Sequence, residues 1–214
     1  TLYWGPLRSR IVSVDTSQLS GATDMGCWFT GCTSLSDISA FRIPDGSRGG
    51  SVPSSLYGLF NVFTSTEDDL TNLITELPPT FYLPEGVTNL HVAFGGCQNL
   101  ETVYEGFAFP STLAIGGFEG CISLKYVPGS LFSRLTDSSS LSASHMFARC
   151  RSITTLGDGF FIPDQVINAY NMFIDCDSLA YIPASLDMRA LGTKDAHTMF
   201  ADAQADALSP VPYA

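Results

Sequence analysis

Basic residues are scarce in this chain, which carries ten Lys and Arg against 21 Asp and Glu and has a formal net charge of −11. A chain without a basic cluster cannot hold a polyanion, so we expect no nucleic-acid partner and no binding to an anionic membrane surface. No apolar run reaches the ~18 residues of a membrane-spanning helix, so the sequence also predicts no membrane insertion. Because the first residue is Thr rather than Met, we expect a processed form or a fragment.

Motifs that carry chemistry are missing as well. The sequence contains no Cys-x-x-Cys pair, no Gly-rich phosphate loop before a helix and no nucleophile elbow. The three histidines, His91, His145 and His197, are spread along the chain, and the acidic run at residues 67–69 lacks the alternating spacing of a calcium loop. We therefore predict that the protein is not an enzyme and that it holds no metal and no cofactor.

A short internal repeat is the dominant feature that is present. The pattern Phe-x-x-Cys occurs five times, and degenerate copies stand at Phe63 and Phe200. From 15 Phe and 6 Cys in 214 residues, chance would give about 0.4 such pairs, so five copies indicate a repeat array. The five pairs are Phe29/Cys32, Phe94/Cys97, Phe118/Cys121, Phe147/Cys150 and Phe173/Cys176.

The residues around each Phe predict a helix followed by a strand. Apolar residues four and one positions before the Phe share one stripe of a short helix with the Phe and the Cys. A polar residue five positions before the Phe can cap that helix. Aliphatic residues six and nine positions after the Phe, often followed by Pro, predict a brief buried strand. The expected caps are Asp24, Asn89, Ser142, Asn168 and Asp195.

These units predict an α/β repeat solenoid of about seven units, each with a short helix and a short β-strand. Residues 1–23 should form an N-terminal capping segment with a partial repeat, because residues 11–14 alternate like a strand. Residues 24–214 should form the array, and its last unit should be a C-terminal cap in which Ala203 replaces the cysteine. The predicted unit anchors are Phe29, Phe63, Phe94, Phe118, Phe147, Phe173 and Phe200.

The cysteines follow the repeat, since five of the six occupy the same position on the apolar stripe. A stripe between neighbouring units offers no cation to stabilise a thiolate, so we predict a row of reduced, buried and inert thiols. A disulfide between Cys27 and Cys32 stays open as an alternative, because an exported protein meets oxidising conditions.

The repeated phrase resembles that of a known family. Phe-x-x-Cys-x-Ser-Leu-x-x-Ile-Pro, preceded by Thr-Asp-Met at residues 23–25 or Thr-Asn-Leu at residues 88–90, is similar to the BspA-type leucine-rich repeats of bacterial surface proteins. The resemblance covers roughly residues 11–205. It implies a right-handed, curved leucine-rich-repeat array that is extracellular or attached to the cell surface and that acts in adhesion or partner binding.

A row of side chains on the predicted sheet is the candidate binding surface. Residues alternate across a strand, so the residue before each buried strand anchor should be exposed on a continuous face. Tyrosines there could recognise a partner, although they could equally cover neighbouring repeats. We predict a neutral or basic protein or carbohydrate ligand on this face. The predicted binding residues are Tyr126, Tyr104, Tyr181, Asp37, Asn72, Thr102 and Thr155.

Two alternatives remain open. The ligand could contact the loops at residues 46–50 and 136–140 instead of the sheet, because binding residues are common on loops. The array could also be a structural spacer, or a subunit of a larger surface assembly or fibre, that binds no ligand of its own.

Overall fold

Regular secondary structure is sparse in the computed structural model, which describes residues 5–62, 71–113, 117–136, 141–186 and 198–201. One 3-10 helix, η1, spans Gly5–Arg10. No α-helix occurs in the described ranges, so the predicted α/β solenoid with one helix per unit is wrong. The strands are β1 (Glu76–Leu77), β2 (Thr102–Val103), β3 (Tyr126–Val127), β4 (Leu141–Ser142), β5 (Thr155–Leu156) and β6 (Val166–Asn168).

Left-handed residues explain why the repeat does not form a helix. Around Phe147, the residues two before and two after it, His145 and Arg149, have φ values of 57° and 63°. An α-helix needs negative φ at every residue, so no helix can run through these positions. The same two positions are left-handed in other units, at Cys27, Val92, Asn171 and Thr198 before the Phe and at Gly31, Gly96, Gly120 and Asp175 after it.

The segment around each Phe is instead a run of turns. Every second N–H bonds to the carbonyl three residues back, as from Met146 to Ala143 at 3.1 Å. The intervening N–H groups bond to the next unit, as from Phe147 to the carbonyl of Met172 at 2.9 Å. We call the stack of these segments, from four residues before each anchor Phe to three after it, the turn column.

The polar residues predicted as helix caps begin turns. Three of them accept a hydrogen bond from the backbone N–H two residues later, at 2.6 Å for Asp24, 2.8 Å for Asn89 and 2.9 Å for Asn168. The expected side-chain acceptors are therefore present, but the structure that they begin is not a helix. Strands β4 and β6 pair in parallel at this same point of units five and six.

Short parallel strands follow the cysteines, as predicted. Strand β1 pairs with β2, and β3 pairs with β5. Residues 11–14 join this set through a parallel bridge between Ser13 and Asp37, which fits the partial repeat expected before the first unit. The division of the chain at residue 23 stays a prediction.

A column of stacked phenylalanines fills the core beneath the turns. The rings of Phe94, Phe118, Phe147 and Phe173 are at most 2 % exposed. Successive ring centroids among them lie 4.7, 5.5 and 5.4 Å apart, with interplanar angles of 10° or less. The predicted buried Phe spine is confirmed for these units, and Phe200 extends it with a centroid 5.5 Å from that of Phe173.

Phe60 takes the anchor position of the second unit. Its ring is fully buried, and its centroid lies 5.7 Å from that of Phe29 and 6.0 Å from that of Phe94. Its N–H donates to the carbonyl of Ala93 at 2.8 Å, which is the register found at the other anchors. Counted from Phe60, Phe63 takes the sequence position of the repeat cysteines.

The repeat thiols form a hydrogen-bonded row beside the Phe spine. Cys121, Cys150 and Cys176 each donate to the carbonyl of the anchor Phe in the preceding unit, at 3.3, 3.2 and 3.2 Å. Burial raises the pKa of Cys176, and also that of Cys97, to about 12. All six cysteines are free thiols, so the alternative disulfide between Cys27 and Cys32 is not formed in this structure.

Thiol labelling should separate these cysteines by their burial. Cys27 is half-buried, whereas Cys97, Cys121, Cys150 and Cys176 are buried. In the folded protein at pH 7.5 we expect the four buried thiols to react at least about 100-fold more slowly than Cys27, because only opening of the fold exposes them. Mass spectrometry after timed quenching measures each site, and rapid labelling of any one of the four would contradict the burial.

Several predicted features lie outside the described residues. They are the acidic run 67–69, most of the loop 136–140, and the individual residues Phe63, Asp195, His197 and Ala203.

Candidate binding surface

The residues before the buried strand anchors form one row across neighbouring units. Glu76 lies opposite Thr102 in β1 and β2, and Thr155 lies between Tyr126 and Tyr181. The next residue of each strand is buried, as with Leu77. The side chains of the row therefore point away from the core. We call this row the strand face; it consists of Ser13, Asp37, Glu76, Thr102, Tyr126, Thr155 and Tyr181.

Asn72 does not belong to the strand face, so its predicted placement there is wrong. Its side chain is 1 % exposed, and its amide nitrogen donates to the carbonyl of Phe60 at 3.2 Å and to the thiol of Cys97 at 3.1 Å. Its Oδ1 accepts the N–H of Ile74 at 3.2 Å. A buried amide with all these partners is a core residue that fastens the irregular second unit to the third.

Glu76 takes the place that Asn72 was expected to fill. It is exposed and lies in register with Thr102. The sequence does contain the signal, because Glu76 precedes Leu77-Pro78 just as Tyr126 precedes Val127-Pro128. The second unit is longer than the others. The spacing found in the other units, counted from either Phe60 or Phe63, therefore does not lead to Glu76.

Tyr126 is held in place by its neighbours. Its hydroxyl donates to Oε1 of Glu105 at 3.1 Å. Burial, followed by the hydrogen bond to the Glu105 carboxylate, raises the pKa of Tyr126 to about 12. The ring passes so close to Gly157 that a Cβ there would lie 2.2 Å from the hydroxyl oxygen. Tyr126 therefore covers the neighbouring unit as well as contributing to the strand face.

Tyr104 lies to one side of the strand face. Its ring is half-buried and meets Phe107 edge-on with centroids 5.8 Å apart. Burial is the main reason that the pKa of Tyr104 is raised, while the nearby Arg134 guanidinium opposes the shift. Tyr104 belongs to the edge of the array where the strands lead into the connectors. The side chain of Tyr181, by contrast, is 49 % exposed.

Acidic groups outnumber basic ones on and beside the strand face. Asp37, Glu76, Glu101 and Glu105 contribute carboxylates, and Lys125 forms an exposed ion pair with Glu101. Backbone and side-chain hydrogen bonds from Ser39 keep the pKa of Asp37 below its usual value. The face therefore stays negative at neutral pH and favours neutral or cationic groups.

Other kinds of site find little support in the described part of the chain. It contains no group of three or more His, Cys, Asp or Glu side chains placed to hold a metal ion. His91 and His145 lie on the turn column, where their rings contact Tyr57 and Tyr170 with centroids 5.7 and 5.5 Å apart. No helix in the described ranges has the length and apolar character needed to cross a membrane.

Comparison with known proteins finds only distant similarity. The sequence matches no protein-family model and no curated protein. The chain is similar to the crystal structure of a leucine-rich repeat protein from Bacteroides ovatus ATCC 8483, with 18% identity, a TM-score of 0.34, and coverage of 80% of this chain and 54% of that one. It is also similar to the crystal structure of a leucine-rich repeat protein from Eubacterium ventriosum ATCC 27560, with 17% identity, a TM-score of 0.22, and coverage of 64% of this chain and 42% of that one. The chain thus spans about half the length of these proteins, and its structural neighbours are bacterial leucine-rich repeat proteins at low sequence identity.

Proposed function

We propose that this chain is a non-enzymatic binding module whose strand face holds an extended, positively charged segment of a partner protein. The observation that carries the proposal is the row of exposed and half-buried side chains, in which Asp37 and Glu76 supply charge and Tyr181 supplies an aromatic surface. A carbohydrate ligand fits this face less well, because its charge favours a cationic partner.

The dimensions of the strand face suit an extended peptide. Parallel strands lie about 4.8 Å apart, so the six steps from Ser13 to Tyr181 span about 29 Å. About nine residues of extended chain cover that length at roughly 3.3 Å per residue. Side chains of such a peptide can meet successive units, and Lys or Arg among them can pair with the carboxylates.

We also propose that the module works outside the cell or on its surface and contributes to adhesion. The support is the resemblance of the repeated phrase, as in residues 173–183, to the BspA-type repeats of bacterial surface proteins.

An octalysine peptide is a suitable probe of the strand face. We expect saturable binding at low salt that weakens as salt is added, since exposed charges are screened over about 10 Å at 0.1 M. Glu76→Lys should weaken binding at least tenfold, or about 1.4 kcal/mol, because it replaces an attraction within the row with a repulsion. Fluorescence anisotropy with a labelled peptide measures the dissociation constants.

The matched control is Glu119→Lys, which makes the same charge change on the turn column. It should leave the affinity within about twofold, and Tyr181→Ala should weaken it without changing the melting temperature. If the Glu76 and Glu119 substitutions weakened binding equally, the binding would depend only on the net charge of the protein, and the proposal would be wrong. Absence of binding to cationic peptides would favour the spacer alternative.

A further inference from the structure

A polar cleft opens at the edge of the array, away from the strand face. It encloses about 290 Å³, close to the ~300 Å³ at which small-ligand sites begin. Three successive connectors form it: residues 17–20, residues 42–48, and the segment with Thr80 and Tyr82. Each connector leaves a strand position of its own unit, so the stacking of the units assembles the cleft.

The first two walls of the cleft are joined by close backbone contacts and hydrogen bonds. The backbones of the first two connectors touch, since a Cβ on Gly50 would lie 2.1 Å from the carbonyl oxygen of Ser20. The N–H of Ala22 bonds to the carbonyl of Ser51 at 3.0 Å. The backbone N–H of Arg42 donates to the Thr16 hydroxyl at 2.6 Å. A preformed site loses little conformational entropy on binding.

The charge of the cleft departs from that of the whole chain. Arg42 and Arg48 both line it, although the chain has only ten Lys and Arg. The Nη1 of Arg42 donates hydrogen bonds to the carbonyls of Ser39 and Phe41, at 2.8 and 2.7 Å. The Arg48 guanidinium is exposed, and its charge helps to lower the pKa of the nearby Asp45 carboxyl, although no hydrogen bond or ion pair from Arg48 occurs within the described ranges. Its fork of N–H donors matches the two oxygens of a carboxylate.

The acidic groups near the cleft are held in place by local hydrogen bonds. The Asp45 carboxylate accepts the N–H of Ser47 at 2.9 Å, and hydrogen bonds from Ser47 hold the pKa of Asp45 below its usual value. Asp15 lies near Arg42 and accepts the N–H of Ser17 at 2.8 Å. Both carboxylates keep oxygens that can accept from ligand hydroxyls.

Tyr82 supplies an aromatic surface to the same cleft. Its side chain is 48 % exposed, and the guanidinium of Arg134 lies 4.9 Å from its ring centroid. Arg134 is held in turn by an ion pair with Glu85 and a hydrogen bond to the carbonyl of Leu83 at 2.9 Å. A tyrosine ring packs against the apolar face of a sugar, while hydroxyl groups such as that of Thr80 bond to its hydroxyls.

We propose that this cleft binds a carboxylated sugar, such as a uronic-acid residue of an acidic glycan. Arg48 pairs with the carboxylate, Tyr82 contacts the sugar ring, and Asp45 accepts from its hydroxyls. The site is separate from the strand face and takes a ligand of opposite charge, so it extends the proposed function rather than depending on it.

Trigalacturonate tests the cleft by isothermal titration calorimetry. We expect saturable binding with one site per chain, and we expect Arg48→Gln and Tyr82→Ala each to weaken it at least tenfold at unchanged melting temperature. Arg151→Gln is the matched control, because Arg151 is an exposed arginine that pairs with Asp177 elsewhere. It should leave the affinity unchanged, and so should Glu76→Lys on the strand face.

Two further ligands identify the chemistry that is recognised. The methyl ester of trigalacturonate, which lacks the charge, should bind at least tenfold more weakly, and sulfate should not compete at equal concentration. Equal binding of the ester would remove the role of Arg48, and competition by sulfate would reduce the cleft to a general anion site. Either result, or an Arg48→Gln variant that binds normally, overturns the proposal and leaves the octalysine experiment unaffected.

Discussion

Phe118→Ala should lower the free energy of unfolding by about 3–5 kcal/mol, the range found for buried phenylalanines. Phe118 is 1 % exposed and lies between two stacked rings, with centroids 4.7 Å from Phe94 and 5.5 Å from Phe147. It also meets Phe107 edge-on at 6.0 Å. The truncation leaves a cavity in the middle of the spine, and the neighbouring rings cannot close it without breaking the inter-unit hydrogen bonds.

Phe161→Ala is the matched control for this measurement. Phe161 is 38 % exposed and lies outside the spine, so its truncation should cost less than half as much as that of Phe118. Urea unfolding followed by circular dichroism gives both values. A cost below about 1 kcal/mol for Phe118→Ala would show that the spine is not a tightly packed core.

Alkaline pH should destabilise the protein strongly, because the buried thiols keep their protons in the folded state. The pKa of Cys97 and that of Cys176 are raised to about 12 from the usual 9.0, and burial raises the pKa of Cys121 and of Cys150 as well. The unfolded chain therefore loses protons above pH 9 that the folded chain retains, so stability falls as pH rises from about 9 to 12. Below pH 9 both states are protonated, and the full stability is present.

The size of the effect follows from the number of thiols. Each thiol lowers the free energy of unfolding by about 1.4 kcal/mol per pH unit above pH 9. Four thiols therefore lower it by roughly 5–6 kcal/mol by pH 10, which is comparable to the whole stability of a small domain. Urea titrations between pH 8 and pH 10 under reducing conditions measure the slope. Cys150→Ala should make the slope shallower by about 1.4 kcal/mol per pH unit, whereas Phe118→Ala should shift the curve without changing its slope. Identical slopes for the wild type and Cys150→Ala would contradict the role of the thiols.

The sequence predicted which residues are buried but not the backbone that buries them. A helix and a run of turns both bring positions four and one before the Phe, the Phe itself and the Cys to one side, so periodicity cannot distinguish them. The distinguishing signal lies two residues before and after the Phe. Gly, Asn or Asp stands there in several units, and these residues enter the left-handed region most easily. The signal is present at Gly31, Gly58, Gly96, Asn171 and Asp175.

The second unit shows where repeat counting fails. Two phenylalanines, Phe60 and Phe63, stand three residues apart, and a search for Phe-x-x-Cys rejects both. Leu56 and Leu59 carry the apolar stripe that belongs to Phe60. The burial of Asn72 could not be predicted, because its partners, the carbonyl of Phe60 and the thiol of Cys97, come from two different units.

The strand face could be predicted from the sequence, whereas the cleft could not. Repetition predicts the strand face, since one residue in each unit takes the same place, and Asp37, Thr102, Thr155 and Tyr181 do so. The cleft is built from connectors that follow no repeat. Only the stacking of three units shows that Arg48 and Tyr82, 34 residues apart by their numbers, share one cavity.

The turn column gives the array an electrical polarity. The peptide N–H of Phe29 bonds to the carbonyl before Phe60, and the same link runs through Phe94, Phe118, Phe147, Phe173 and Phe200, at 2.9, 2.8, 3.4, 2.7, 2.9 and 2.8 Å. In this series of hydrogen bonds every N–H points toward the later units. The dipoles of these peptide groups therefore add, and the aligned hydrogen bonds polarise one another. The carbonyl end, beside the first unit, is the negative pole. Arg8 of η1 lies there against Gly31, so one of the few cations of this acidic chain sits where the backbone itself attracts positive charge.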